Sequence, residues 1–158
     1  MPKPHYEIAT YRTQGNLGYL LKCARSLAMD VVEPVLEARG FTFLQYTILT
    51  WLRDGIAVNP RDIASLYGHD GGALTRVIDR LMERGLLERV RRDRDRRRVE
   101  LQLTLQGGKA IDELIPLVGD KFDAVMETFS HSELQTLQQL LTKLAAQLSP
   151  AGEASHTR

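Results

Sequence analysis

The ten residues from Arg89 to Arg98, RVRRDRDRRR, hold seven arginines and two aspartates, a local charge of +5 in a chain whose formal net charge is +1. Guanidinium groups are planar and permanently charged, and they fit both phosphate oxygens and the narrow, negatively charged minor groove of duplex DNA. Crowding them into one short segment raises their mutual repulsion unless a polyanion lies against them. Asp93 and Asp95 are too few to neutralise the run, but they can orient individual arginines. A second basic pair, Arg76 and Arg80, has the i,i+4 spacing that sets two side chains next to each other on a helix. Helical projection places Gly72, Ala73, Arg76, Asp79, Arg80 and Glu83 opposite the apolar stripe Leu74, Val77, Ile78 and Leu81. Seen alone, this is an ordinary solvated face on which Asp79 and Glu83 can relieve the two arginines. As the second helix of a helix-turn-helix, it would enter the major groove by its N-terminal half. Gly72 and Ala73 then let the backbone approach closely, and Arg76 can reach the O6/N7 edge of a guanine. Thr75, Asp70, Arg61 and Arg80 lie near enough to position phosphates.

The elements that hold these side chains follow from apolar spacing and stop signals. From Gly15, residues Leu17, Leu20, Leu21, Ala24, Leu27, Ala28, Val31 and Val35 recur at helical steps, predicting a long first helix kinked at Pro34 and ended by Gly40. Thr42 opens a second helix with Leu44, Ile48, Trp51 and Leu52 on one face, and Arg53-Asp54-Gly55 reads as a turn. Asn59-Pro60-Arg61-Asp62 is a helix start with a cap acceptor, a proline where no N–H is needed and an acid in the first turn. That short third helix ends near Gly68. Asp70 can cap the fourth, which Gly85 terminates, so the pair is a helix-turn-helix candidate. Leu87 to Arg91 and Val99 to Thr104 read as two strands, making the arginine-rich segment a hairpin tip. A fifth helix is expected after Gly107-Gly108, interrupted at Pro116 and Gly119. Ser130-His131-Ser132-Glu133 matches a capping box that opens a last helix bearing Leu134, Leu137, Leu141, Leu144 and Leu148. No internal repeat is visible, and the fold class is mainly α (α+β).

Composition narrows the function. A chain of 158 residues with 43% apolar content suits one globular domain able to bury its own core. Its single cysteine, Cys23, excludes an intrachain disulfide and a thiolate cage for zinc, and fits a reducing, cytoplasmic setting. No run approaches the roughly 18 apolar residues of a membrane helix, and Met1 to His5 lacks the pattern of a signal peptide. There is no phosphate-binding glycine loop with lysine, no nucleophile elbow and no His-Glu-x-x-His, and His5, His69, His131 and His156 are scattered. Glu33 and Glu37 form only a helical acid pair. The expectation is a binding protein, not an enzyme, with neither metal nor cofactor.

Asp70-Gly71-Gly72-Ala73-Leu74-Thr75-Arg76-Val77-Ile78-Asp79-Arg80-Leu81, then Arg84-Gly85, Asp95-Arg96-Arg97, Val99, Leu103-Thr104 and Gly107, resembles the winged helix-turn-helix of the multiple-antibiotic-resistance repressor (MarR) family. The resemblance runs from about Leu17 to Leu148 and includes Phe41-Thr42 and Gln45 at the opening of the second helix. It implies a winged helix-turn-helix with N- and C-terminal dimerisation helices. It also implies that Arg76 reads bases, that Asp95 braces Arg97 for entry into the minor groove, and that the protein represses transcription. The expected division is an arm over 1–14, a dimerisation region over 15–54 and 108–148, a DNA-binding lobe over 55–107 with Arg94, Arg96 and Arg97 at its wing tip, and a disordered tail over 149–158.

Dimerisation also follows from the leucine and valine surplus of the first and last helices, and two reader helices about a two-fold axis imply a pseudo-palindromic operator. The resemblance further implies a small aromatic or phenolic effector in a crevice between the dimer helices and the DNA lobe. Tyr19, Cys23, Phe43, Tyr46 and Trp51 are candidates to line it, with Arg25 or Arg53 to pair a carboxylate; each aromatic also reads as plain core. In the peroxide-sensing branch the reactive cysteine matches Gly18 here, so Cys23 reads as a small packed side chain. The rival reading is a winged-helix module that binds RNA or a protein without effector control.

Overall fold

The computed structural model describes residues 12–67, 71–91 and 99–148. Helix α1 spans Leu17–Glu37, α2 Phe43–Arg53, α3 Pro60–Tyr67 and α4 Gly71–Glu83; strands β1 (Leu87–Arg91) and β2 (Val99–Leu103) follow, then α5 (Leu105–Met126) and α6 (His131–Leu148). A short 3-10 turn, Thr13–Gly15, precedes α1. The order is that of a winged helix-turn-helix flanked by long helices. The sequence-predicted cap at Asp70 and the wing-tip residues Arg94, Arg96 and Arg97 lie outside the described residues, as do the arm over 1–11 and the tail over 149–158.

Local chemistry sets the boundaries. The Asn16 side chain caps α1 by accepting from Tyr19 N at 3.2 Å. Thr42 and Gln45 form a reciprocal capping box on α2, at 3.3 and 3.0 Å. Asn59 Oδ1 accepts from Asp62 N at 3.0 Å while its amide donates to the Asp62 carboxylate at 2.6 Å, which fixes the first turn of α3. Gly40 and Gly85 take positive φ, 73° and 69°, and behind them Phe41 N and Leu86 N donate back to Leu36 O and Leu81 O, each at 2.9 Å. This closure satisfies the last carbonyls of α1 and α4 and turns the chain sharply at both places.

β1 and β2 pair antiparallel with Leu87 opposite Leu103 and Arg91 opposite Val99. Leu101 N also donates to Val58 O at 2.8 Å, so the α2–α3 connection lies along the outer edge of β2. Two expectations about the fifth helix are corrected. It begins at Leu105, ahead of Gly107-Gly108, because Thr104 caps it: Thr104 Oγ1 accepts from Gly107 N at 3.0 Å and donates to Gly85 O at 2.6 Å. Gly107 is there for contact and not as a breaker, since a Cβ on it would collide with the Leu86 carbonyl. The helix also runs unbroken through Pro116 and Gly119. Pro116 faces solvent, where water can satisfy the carbonyl it leaves unpaired, while Ile111, Leu114 and Val118 are buried.

The chain packs as two compact units, 1–121 and 122–158. The core of the first is built from Val32, Leu36, Ile48, Leu49, Ile63, Ile78, Leu81, Ile111 and Leu114, each less than 3% exposed. In the second, α6 buries none of its side chains, and Leu137, Leu140, Leu141 and Leu148 are exposed. Its start is capped as expected: Glu133 N donates to Ser130 Oγ at 3.3 Å, and Ser130 N to Glu133 Oε2 at 2.8 Å.

Candidate nucleic-acid interface

Helix α4 separates its residues sharply. Leu74, Ile78 and Leu81 are buried, whereas Gly72, Ala73, Thr75, Arg76 and Arg80 are exposed on the opposite side. Arg61, in the first turn of α3, is exposed too. Asp79, which the spacing offers to the neighbouring arginines, is instead engaged from the wing: Arg89 Nη2 on β1 donates to Asp79 Oδ1 at 3.0 Å. Among the described residues neither Arg76 nor Arg80 forms an ion pair. One helix face therefore presents two uncompensated guanidinium groups next to two side chains small enough to admit close backbone approach. That combination suits the edges and phosphates of a duplex groove.

Side-chain links to the wing and to the α1–α2 corner help to hold this helix in place. The Arg89–Asp79 pair ties α4 to the first wing strand. At its C-terminal end, Arg84 Nη1 donates to Gly40 O at 2.9 Å, and its Cζ lies 4.2 Å from the centroid of the Phe41 ring. Arg84 thus fastens the end of α4 to the corner between α1 and α2. Neither link carries a local sequence signal: the Asp79 partner is ten residues on and in a strand, and the Gly40 partner is forty-four residues back.

The six effector candidates do not converge on one place. A cleft of about 380 Å³ opens between α1, the start of α2 and the end of α3, and Arg25 and Phe43 line it together with Met29, Asp30, Glu33 and Tyr67. Tyr19, Cys23, Tyr46 and Trp51 are not among its lining residues. The Cys23 thiol one turn away on α1 raises the Tyr19 phenol above the ordinary value. Burial raises Tyr46 against the opposing pull of the Arg53 cation, and its ring lies 6.2 Å from that of Phe43. Trp51 meets Tyr67 edge-on with ring centroids 6.3 Å apart, so it backs a cleft residue. Arg53, the other candidate partner for a carboxylate, pairs with Asp112 of α5 at 3.5 Å. Tyr67, Met29 and Asp30 carried no sequence expectation and Glu33 was read only as half of a helical acid pair; an aromatic closing a helix of the helix-turn-helix was the one usable hint. Among the described residues there is no cluster able to hold a metal ion, and no helix is long and apolar enough to cross a membrane.

Comparison with known proteins bears on this geometry. A model of the MarR family matches residues 39–98, from the corner before α2 through the segment between the wing strands. The transcriptional regulator FarR of Neisseria gonorrhoeae is 30% identical over 122 residues, 77% of this chain and 84% of FarR. Among solved structures, a cysteine-to-serine mutant of MarR from E. coli complexed with operator DNA superposes with a TM-score of 0.69 at 29% identity, covering 81% of this chain and 92% of that one. BpsR of Bordetella bronchiseptica, whose DNA binding is regulated by 6-hydroxynicotinic acid, superposes with a TM-score of 0.73 at 25% identity, covering 85% and 96%.

Proposed function

The chain belongs to the MarR family of DNA-binding transcriptional regulators, and from that premise we propose that it is a cytoplasmic homodimeric repressor, released from a pseudo-palindromic operator by a small aromatic or phenolic effector. The observation that carries this reading is the exposed face of α4, where Arg76 and Arg80 stand uncompensated because Asp79 is held by Arg89. Arg76 reads a guanine edge in the major groove. Arg61, Thr75 and Arg80 position the phosphate backbone, Asp70 caps the reader helix at its DNA-facing end, and Gly72 and Ala73 provide the close approach. Arg97, braced by Asp95, enters the adjoining minor groove, and Arg94 and Arg96 contact the DNA beside it. The lobe over 55–107 contacts DNA, and the helices over 15–54 and 108–148 form the dimer. Exposed leucines support that division: Leu27 on α1 is 65% exposed and Leu140 on α6 is 60% exposed, apolar surface of the kind a second copy covers.

The test is to select bound fragments from the native genome with the full chain and compare the winning duplex with a random one of equal length. The regulator reading expects the selected duplex to bind about a thousandfold or more tighter at physiological salt. Equal affinity for the two, or preference for single-stranded RNA, overturns it.

A further inference from the structure

The cleft between α1 and α2 has a charge that does not suit an acid. Three of its lining residues are charged, Arg25, Asp30 and Glu33, so two carboxylates face one guanidinium. The other walls add none: the cap and first turn of α2 contribute Thr42, Phe43 and Leu44, and α3 contributes Tyr67. Asp30 and Glu33 are spaced i,i+3 on α1 and share a side of the helix. Among the described residues neither is drawn into an ion pair, with Arg25 or with any other cation. Beside them stand the rings of Phe43 and Tyr67 and the thioether of Met29, soft surfaces whose faces attract positive charge. The volume, about 380 Å³, is that of a small-molecule site.

We propose that this cleft takes a lipophilic aromatic cation, its positive charge held between Asp30 and Glu33 and its rings against Phe43 and Tyr67. The proposal rests on the reading of the chain as an effector-responsive regulator and names the charge class of the effector. Occupancy has a route to the reader: Tyr67 is the last residue of α3 and is packed on Trp51 of α2, so a ligand here touches the first helix of the helix-turn-helix and the scaffold at once. A ligand that binds one placement of α3 better than another shifts the spacing of the reader helices by that difference in affinity.

Tetraphenylphosphonium and tetraphenylborate have nearly the same shape and opposite charge, which isolates the sign of charge from hydrophobic fit. Calorimetric titration of the full chain without DNA is expected to show the phosphonium binding about tenfold or more tighter than the borate. Asp30 and Glu33 are exposed, so the double variant Asp30→Asn, Glu33→Gln keeps the core intact; it is expected to lose most of that preference, while Arg25→Ala sharpens it. Equal or tighter binding of the borate, or unchanged phosphonium affinity in the double variant, overturns the proposal. Operator affinity of the unliganded protein, measured separately, keeps the two readings apart. Normal operator binding with preference for the borate defeats the cation site alone. Preference for the phosphonium with no operator binding supports the site and defeats the regulator.

Discussion

Arg76 and Asp79 are three residues apart on one helix, yet they do different work. Asp79 is taken by Arg89, and this leaves Arg76 and Arg80 to seek an external anion. Replacing Arg76 by alanine is expected to weaken operator binding by about 1–3 kcal/mol and to relax discrimination at one base pair per half-site, measured by titration against a panel of substituted duplexes. Arg94→Ala should instead weaken all sequences nearly evenly. The exposed face of α4 was legible because a 3.6-residue period sorts its side chains without reference to anything distant. Partners were not, because Asp79 pairs across to a strand and Arg84 across to Gly40. The effector candidates were the least legible: aromatic residues on a core-facing helix have the same spacing whether they line a cleft or fill the interior.

At the scale of elements, glycine and caps do most of the positioning. Gly107 allows the first turn of α5 to lie against the Leu86 carbonyl, so Gly107→Ala should force that turn away from β1 and lower stability by about 1–3 kcal/mol in denaturant unfolding. The sequence showed the helix stops at Gly40 and Gly85 plainly, because a positive-φ residue after an apolar stripe has few other uses. It mislocated the start of α5 because a Gly-Gly pair looks like a breaker when the carbonyl that requires it is in another element. The cap of α6 has a pH signature. The Ser130 side chain and backbone hydrogen bonds hold Glu133 below its ordinary value of 4.5, so the folded state favours the carboxylate. The stabilisation is therefore complete above that value and is lost as pH falls through the lower, folded-state value. Acid titration followed by amide exchange is expected to loosen the first turn of α6 in that range, and Ser130→Ala should weaken the dependence without abolishing it, because the backbone N–H of residue 130 still donates to Glu133.

For the whole molecule, the decisive feature is that apolar surface on α1 and α6 and basic surface on α4 belong to one chain. Leu140→Glu should shift the chain towards monomer in sedimentation and weaken binding to a two-half-site operator far more than to a single half-site. The surplus of leucine made the exposed apolar surface of α1 and α6 legible. The division into two compact units was not, because the helical period of α5 runs without a break across Lys121 and Phe122. The most direct measurement of the central claim, that arginines on α4 and on the wing neutralise DNA phosphates and read its grooves, is the slope of log affinity for the selected operator against log salt concentration. The account predicts a steep negative slope, close to −0.9 per phosphate neutralised, made shallower by about one unit for each copy of Arg94→Ala in the bound dimer. A slope near zero, or one that Arg94→Ala leaves unchanged, would contradict it.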